Sequence, residues 1–514
     1  MNESRNEGAM ADSESGMQCS LVERYLRRNT SLRLPTRRWM QLLLLLCIVP
    51  LYSFGQWRSF PSIHSEQDRF FQQWQFSSEA AWDSLQGWHA SEALPDIHRF
   101  QRTPSRLRVM GWHPYWMGTR YKQYRYELLY TVAYFSYAVD PQTGSYKTIR
   151  QWKTTDLVPI AHQYGTRVVL CVTNFGSDAN RQLLTNPQAK QMLIDSLIAL
   201  VKLRNADGVN IDFELIPYPW LRDSLTAFLR QLADRFHQEI PGSEVSIALP
   251  AVDWYDVFDV AAYNDFLDYC VMMGYEYHWT GSAYAGPVAP LSCGTTWSSW
   301  CVDRSVSTYL AKGLRPEKLW LGVPYYGREW PVADTIPPAK ATGSGTAYTY
   351  EQIVKHRLKE ASWHWDESSM TPYYNRSAQL QGWYDDTMSL RLKYRYAQQR
   401  RLGGIGIWAL GYDGDRPELW ELLRETTTTA ASESSRVSTG WHYLRLPDRI
   451  LLYPPAPAAL PVEVEVYTML GQRIARERVA GQQPVVIPLS SATAQPIYLC
   501  IRTGNRSTTL VIVP

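Results

Sequence analysis

The sequence predicts an α/β fold, a (β/α)8 TIM barrel with an inserted α+β subdomain and a small C-terminal β-sandwich. Three observations predict it. Eight short apolar segments recur between residues 106 and 425. Stretches with helical character separate several of them, which is typical of a parallel sheet covered by helices. The fourth segment ends on a glutamate, and barrel enzymes keep their active sites at the carboxyl ends of the strands.

The predicted barrel strands are short apolar runs, most of them rich in β-branched and aromatic residues. They cover residues 107–112, 130–138, 167–173, 208–214, 245–250, 269–275, 319–325 and 404–410. The clearest helices between them cover residues 186–205, 221–238 and 386–401, the first with Pro187 suited to its first turn.

The N-terminal region is divided into an export signal and an extension. The apolar run 42–54 follows Arg37 and Arg38 and is too short for a comfortable membrane span, which needs about 20 residues. Residues 1–55 are therefore interpreted as a signal peptide with a long leader, and an uncleaved anchor is the alternative. Residues 56–105 are polar and aromatic without clear periodicity, and are interpreted as an N-terminal extension that can include helix.

Two further parts interrupt or follow the barrel. Residues 331–384 are too many for a simple crossover; a helix at 348–360 and a hairpin at 371–376 and 379–384 predict an inserted subdomain forming one wall of a cleft. The Thr-, Ser- and Ala-rich residues 426–440 are interpreted as a linker. Residues 441–514 have strand character at 462–467, 485–488, 497–502 and 508–513, which predicts the β-sandwich.

Composition limits the function classes. The 514 residues include 52 basic and 49 acidic side chains, a net charge of +3, so no strong field for nucleic acid or anionic lipid is expected. The 21 Trp and 33 Tyr are a weak indication of carbohydrate binding. No spacing indicates a metal site or an organic cofactor. Cys293 and Cys301 are close enough in sequence to form a disulfide in an exported protein.

The predicted fourth strand carries the chemistry. Because alternate residues of a strand share a face, Asn210, Asp212 and Glu214 point one way while the residues between them are apolar. A general acid at a strand end beside a second carboxylate suits acid–base chemistry on a sugar. A strand with a solvated polar face is the alternative. Asp207 is out of phase with the inward face and is interpreted as a structural hydrogen-bonding residue.

The segment 207–214 resembles the Asp-x-x-Asp-x-Asp-x-Glu signature of family 18 glycoside hydrolases, the chitinase family, with Asn210 in place of the middle Asp. The resemblance continues in order along the barrel. Its further matches are the sixth-strand segment Met273-Gly-Tyr275-Glu276, the segments 286–291 and 322–328, and Trp408 in the eighth strand.

The resemblance implies substrate-assisted retention, in which the substrate's own N-acetyl carbonyl is the nucleophile. Glu214 would protonate the leaving oxygen and then activate water. Asp212 would orient the acetamido group and offset the charge of an oxazolinium intermediate, while Tyr275 would hydrogen-bond the acetamido oxygen. Trp408 would lie under the sugar ring at the cleavage subsite. The remaining substrate-binding candidates are Asn210, Glu276, Arg328 and Tyr134, and pairing with a carboxylate is the equal alternative for Arg328.

Departures from the family pattern leave the substrate open. Asn210 can still hydrogen-bond Asp212 but removes a like charge, so an altered pH dependence is expected. Glu276 replaces an Asp, and the third strand has 173–176 in place of Ser-x-Gly-Gly. These variants resemble the branch with spore-cortex peptidoglycan-lytic enzymes. A hydrolase of chitin or chitooligosaccharides is the main expectation; peptidoglycan or N-glycan-core hydrolysis, or a non-catalytic lectin, are the alternatives.

The C-terminal module resembles another family. Segments 466–474 and 496–502, followed by a final apolar strand, are similar to C-terminal sorting domains of type IX secretion. The resemblance implies the type IX machinery as a partner beside the glycan substrate, and export to the medium or the outer-membrane surface. A carbohydrate-binding β-sandwich is the alternative. No nucleic acid partner and no stable membrane span are expected.

Overall fold

The computed structural model describes residues 62–74, 76–88, 107–297, 299–414 and 416–428, and seven strands between residues 442 and 512. These residues belong to one compact unit, residues 61–514. The predicted signal peptide and most of the predicted linker lie outside the described residues. Within the part of the chain that is described, no helix combines the length and the apolar character needed to cross a membrane.

Eight parallel strands close into a barrel, so the predicted fold class is confirmed. The order is β1-β14-β8-β7-β6-β5-β4-β2, and pairing of β1 with β2 closes the ring. Every predicted strand is present. The strands are β1 (Arg108–Pro114), β2 (Thr131–Val139), β4 (Arg167–Phe175), β5 (Gly208–Glu214), β6 (Glu244–Leu249), β7 (Tyr269–Met273), β8 (Leu319–Pro324) and β14 (Gly404–Trp408); β3 (Tyr146–Thr148) pairs antiparallel with β2.

Helices cover the outside of the barrel. They are α3 (Leu157–Gln163), α4 (Ser177–Leu184), α5 (Pro187–Arg204), α6 (Arg222–Glu239), α7 (Val260–Tyr263), α8 (Val302–Ala311), α10 (Thr387–Gln399) and α11 (Glu418–Thr428). Local chemistry sets their ends: the Asn186 side chain caps α5 by accepting from the Ala189 amide, and Asn205 ends it in the left-handed conformation. Helix α11 continues into the predicted linker.

The two faces of β5 separate packing from chemistry. All seven residues of β5 are buried. Phe213 stacks on Phe228 of α6, with ring centroids 5.9 Å apart, so the odd-numbered side chains face the helices. The even-numbered residues face the barrel interior, where Asn210 Oδ1 accepts a hydrogen bond from the indole of Trp112 on β1. The polar face predicted for this strand therefore points inward.

An antiparallel sheet follows β8, in the order β10-β9-β13-β12-β11. Its strands are β9 (Tyr326–Pro331), β10 (Thr346–Thr349), β11 (Ser362–Asp366), β12 (Thr371–Ser377) and β13 (Leu380–Trp383). The sheet begins before the predicted boundary at residue 331, because β9 leaves the barrel and pairs with β13. The predicted helix is shorter than expected: α9 (Tyr350–Gln352) continues as a π-helix over Ile353–Arg357. Cys293 and Cys301 form a disulfide.

The C-terminal strands form two antiparallel sheets, as the strand pattern indicates. One has the order β15-β16-β19 and the other β18-β17-β20-β21. Their packing as a sandwich stays a prediction. The strands are β15 (His442–Arg445), β16 (Arg449–Tyr453), β17 (Val462–Thr468), β18 (Arg473–Val479), β19 (Val485–Pro488), β20 (Ile497–Thr503) and β21 (Arg506–Ile512).

The N-terminal extension contains two helices, α1 (Ile63–Phe71) and α2 (Glu79–Leu85). Ser62 caps α1 by accepting from the amide of Ser65. The segment after β1 holds both helices: Phe71 stacks on Trp116 with centroids 4.8 Å apart, and the indole of Trp82 donates to the Trp116 carbonyl. The two described helices of the extension are therefore packed against the barrel.

Candidate active site

The carboxyl ends of three barrel strands bring the predicted catalytic residues together. Glu214 is the last residue of β5, and Trp408 is the last residue of β14. Tyr275 lies two residues beyond Met273, where β7 ends earlier than the predicted boundary. Parallel strands share one carboxyl edge, so residues far apart in sequence meet there.

His64 of α1 lies at the centre of this group and contacts each member. Its Nδ1 donates to Asp212 Oδ2 at 2.8 Å and lies 3.2 Å from Glu214 Oε1. Its Nε2 is 2.9 Å from the hydroxyl of Tyr275. Its ring stacks on the indole of Trp408, with centroids 3.6 Å apart and planes inclined by 26°. One imidazole therefore touches all four residues expected to handle the sugar.

Helix α1 seals this cluster from solvent. Asp212 and Trp408 are 0% exposed, Tyr275 is 3% exposed and Glu214 is 9% exposed. Gln67, one turn after His64, accepts hydrogen bonds from the indole of Trp408 at 2.9 Å and from the hydroxyl of Tyr412 at 2.8 Å. As described, the cleft has no room for a sugar at the position of the His64 ring.

Charge and burial set the protonation of the cluster. Burial raises the pKa of Glu214, and the charge of Asp212 raises it further, against opposing hydrogen bonds from His64 and Ser62. Burial alone would lower the pKa of His64, but the charge and hydrogen bond of Asp212, followed by those of Glu214, raise it to about 9. Burial likewise raises the pKa of Tyr275 well above its ordinary value. At neutral pH His64 is therefore an imidazolium that donates to Asp212.

The same cluster has the spacing of a metal site. His64, Asp212 and Glu214 each offer one ligand atom within 4.8 Å of the others. Nδ1 lies 2.8 Å from Asp212, and the raised pKa of His64 places a proton on the Nδ1 lone pair that a metal would need. We therefore interpret the group as a protonated ion pair.

Asn210 supports the strand from inside the barrel. Its amide donates to Ser246 Oγ at 2.9 Å, and its oxygen accepts from the indole of Trp112 at 2.9 Å. The expected hydrogen bond to Asp212 is wrong: Asp212 Oδ2 binds His64, and Oδ1 has no hydrogen-bond partner among the described residues. Neighbouring strands thus engage both ends of the inward amide, and the difference from the family pattern beside Asp212 is the missing charge.

Arg328 and Glu276 form a second buried cluster beside the first. Arg328 is 0% exposed and pairs with Glu276 at 2.9 Å and with Glu66 of α1 at 2.7 Å. The hydroxyl of Tyr326 donates to Glu276 at 2.6 Å. Of the two roles left open for Arg328, pairing with carboxylates is the one present here, and one of its two partners comes from the N-terminal helix.

Two predicted site residues lie away from the cluster. Tyr134 is fully buried within β2, and its hydroxyl accepts from the amide of Gln151 at 3.0 Å. Asp207 precedes β5 and accepts from the amide of Val168 at 2.7 Å and pairs with His162 at 2.8 Å. Asp207 thus ties the entry of β5 to its neighbour, and Tyr134 packs in the core.

The family model of the glycosyl hydrolases family 18 matches residues 108–413. This range covers the whole barrel and the inserted sheet. The chain belongs to glycoside hydrolase family 18. It is therefore a glycoside hydrolase with a chitinase-like barrel, and the four residues gathered around His64 lie within the matched range.

Curated relatives of this family 18 hydrolase carry names that describe different activities. Human di-N-acetylchitobiase is 30% identical over 311 residues, which cover 52% of this chain and 76% of that protein. A Bacillus subtilis protein named as a putative sporulation-specific glycosylase is 30% identical, over 49% of this chain and 58% of its own length. The Bacillus subtilis cortical fragment-lytic enzyme is 26% identical, over 53% of this chain and 62% of its own length.

Solved family 18 structures share the fold. The Cycas revoluta chitinase in complex with (GlcNAc)3 superposes with a TM-score of 0.57 at 22% identity, covering 62% of this chain and 99% of that one. The Paenibacillus barengoltzii family 18 N-acetylglucosaminidase superposes with a TM-score of 0.55 at 22% identity, covering 62% of this chain and 99% of that one. At such identities the likeness concerns the fold.

Sequence reasoning did not find the residues of α1 that enter the site. His64, Glu66 and Gln67 lie in a segment interpreted only as an extension. The one local signal is Ser62, which is typical of a helix N-cap, and it predicts a helix without predicting where that helix docks. The docking depends on complementarity with residues more than a hundred positions away, such as Asp212.

Proposed function

We propose that this family 18 hydrolase is exported and cleaves β-1,4 linkages in N-acetylglucosamine-containing glycans, with chitin or chitooligosaccharides as the main substrate class. One observation carries the proposal: Asp212, Glu214, Tyr275 and Trp408 converge on a single point, occupied here by the ring of His64. An N-acetylated sugar at that point would meet a carboxylate, a proton donor, a hydroxyl and an aromatic floor.

Each group has a role that its environment supports. Glu214 holds a proton near neutral pH because burial and Asp212 raise its pKa, so it is suited to protonate the glycosidic oxygen. Asp212 would accept from the acetamido N–H and offset the charge of an oxazolinium intermediate. Tyr275 stays protonated and would donate to the acetamido oxygen as it attacks the anomeric carbon.

Peptidoglycan is the second candidate substrate. Two Bacillus subtilis relatives are named for sporulation-specific and cortical fragment-lytic activity, and their identity to this chain is similar to that of the chitobiase. The replacement of the middle signature Asp by Asn210 also resembles that branch. An N-glycan core is a third glycan with the same linkage, and a lectin that binds without cleavage is the non-enzymatic alternative.

Export and type IX secretion are part of the proposal. The apolar run 42–54 and the C-terminal segments support it from the sequence. The bonded pair Cys293 and Cys301 supports an oxidising compartment, since structural disulfides persist there. Release of the chain to the medium from a host with type IX secretion, and its loss on deletion of residues 441–514, would test this part.

Product analysis tests the hydrolase. The full chain and its His64→Ala variant are incubated with chitin oligosaccharides, purified peptidoglycan and a high-mannose glycoprotein, each beside the same chain carrying Glu214→Gln. Cleavage of one glycan that disappears with Glu214→Gln supports the proposal and names the substrate. Binding without cleavage by every protein would favour the lectin.

A further inference from the structure

Helix α1 contacts the catalytic cleft through several side chains at once. His64 binds Asp212 and stacks on Trp408, as described above. Gln67 accepts from Trp408, and Glu66 pairs with Arg328 through both of its carboxylate oxygens, at 2.7 and 3.2 Å. Three side chains within four residues thus bind three different walls of the cleft. A chance contact of one side chain does not explain this docking.

The far end of α1 is also held by specific contacts. Asp68 pairs with Arg150 at 2.9 Å, and the Arg150 guanidinium lies 3.9 Å from the ring centre of Tyr115. Phe71 stacks on Trp116. Helix α1 is therefore seated along its whole length on the barrel mouth, with its first turn inserted over the carboxylates.

The ring of His64 reproduces the contacts expected of an N-acetylated sugar. Its Nδ1–H donates to Asp212, as an acetamido N–H would, and its second nitrogen donates to the Tyr275 hydroxyl, the group that would bind the acetamido oxygen. The ring lies flat on Trp408, as a sugar ring would. This comparison rests on the proposed function, since it takes the N-acetyl sugar as the natural occupant.

We propose that α1 is an autoinhibitory plug in which His64 takes the place of the substrate's N-acetyl group, so that substrate binds only after α1 has left the cleft. The docked helix and a bound sugar cannot be present together, because the His64 ring already lies in contact with Trp408 and leaves Asp212 and Glu214 buried. The resting chain is masked, and its active form is one in which residues 62–71 are withdrawn.

A positioning role of His64 in catalysis makes the opposite prediction. If His64 oriented Asp212 during the reaction, its removal would lower hydrolysis. If α1 is a plug, removal of its contacts raises both access to the carboxylates and hydrolysis. The two roles predict opposite changes in hydrolysis, so a variant of the full chain that lacks these α1 side chains distinguishes them.

The first experiment measures access to Glu214 without any glycan. The full chain and the variant His64→Ala/Glu66→Ala/Gln67→Ala are treated with a water-soluble carbodiimide and glycine ethyl ester, and the amide formed at Glu214 is followed by peptide mass spectrometry. The control is Arg69→Ala/Gln72→Ala/Gln73→Ala, which changes three exposed residues of the same segment. Circular dichroism checks folding, and Gln67→Ala alone serves as a milder variant.

We expect labelling of Glu214 to rise at least tenfold in the triple cleft variant, less in Gln67→Ala, and not in the control. Hydrolysis of the glycan substrates by the same proteins should rise in the same order. Equal labelling of Glu214 in all proteins, or loss of hydrolysis in the cleft variant beside an active wild type, would overturn the plug. Raised labelling without hydrolysis of any glycan would leave the plug standing and reject the proposed substrate class.

Discussion

The imidazole of His64 lies stacked on the indole of Trp408, with ring centroids 3.6 Å apart. This contact joins the first described helix to the last strand of the barrel. Trp408 is the residue expected to stack under the sugar ring in a family 18 hydrolase, and the His64 ring lies on that indole.

Replacing Glu214 by Gln in the His64→Ala chain should lower kcat by about 10²–10⁴, because the proton donor to the leaving oxygen is lost while shape and hydrogen bonding are kept. Initial rates on the substrate identified by product analysis measure it. The control is Asp207→Asn, since Asp207 binds Val168 and His162 outside the cluster. More than a tenth of the activity remaining with Glu214→Gln would place the general acid elsewhere.

The variant Asn210→Asp should move the pH–rate profile to higher pH. It adds a buried carboxyl two positions before Asp212 on the inward face of β5, and a like charge raises the pKa of a neighbouring carboxyl. The profile is measured in the His64→Ala chain. Ser246→Ala serves as control, because it removes the acceptor of the Asn210 amide without adding charge. Identical pH–rate profiles with and without the Asn210→Asp substitution would show that the missing carboxylate at position 210 does not alter the pH dependence.

His64 should titrate far above an ordinary histidine. Burial lowers its pKa, but Asp212 and Glu214 raise it to about 9. The other groups that face the imidazole are the Tyr275 hydroxyl and the Trp408 ring. Since the folded pKa exceeds the ordinary 6.5, the ion pair stabilises the docked helix fully below about pH 6.5 and is lost as pH rises through about 9.

Nuclear magnetic resonance of ring-labelled histidine follows that titration. The signal of His64 is assigned by its absence in the His64→Gln chain. A midpoint near 9 is expected. A midpoint at or below 6.5 would mean that the imidazole is not held between the carboxylates in solution.

Arg328→Gln should destabilise the fold by about 3–5 kcal/mol, because it leaves the carboxylates of Glu276 and Glu66 without their buried partner. Arg328→Lys keeps the charge but loses the paired hydrogen bonds, so it should cost less. Urea unfolding measures both. A loss below about 1 kcal/mol for Arg328→Gln would show that the pair contributes little to stability.

Sequence patterns predicted the barrel well because its strands are buried on both faces. Seven of the runs are largely apolar, and the fourth alternates polar with apolar residues. Turn residues or capped helices follow the runs, as with Asn186 before α5. Strand ends were less certain. Strand β7 ends two residues before Tyr275, and β9 pairs with β13 outside the barrel. Pairing with neighbouring strands decides both positions.

The placement of the candidate catalytic residues was predictable from alternation in one strand and from their order along the chain, but the side chain of His64 that lies among them was not. Glu214 and Asp212 follow from period-two alternation in β5. The docking of His64 depends on a contact with Asp212 across 148 positions, and no local periodicity encodes such a contact. The prediction of a hydrogen bond between Asn210 and Asp212 was wrong because it also depends on tertiary contacts. The Asn210 amide binds Trp112 and Ser246 instead.

The affinity of the cleft for a chitooligosaccharide tests the central claim most directly. Isothermal titration with tri-N-acetylchitotriose compares the full chain carrying Glu214→Gln with the same chain also carrying His64→Ala/Glu66→Ala/Gln67→Ala. A family 18 site masked by α1 predicts a Kd at least tenfold lower for the second protein. Equal Kd values would contradict masking, and no binding to either protein would contradict the proposed glycan.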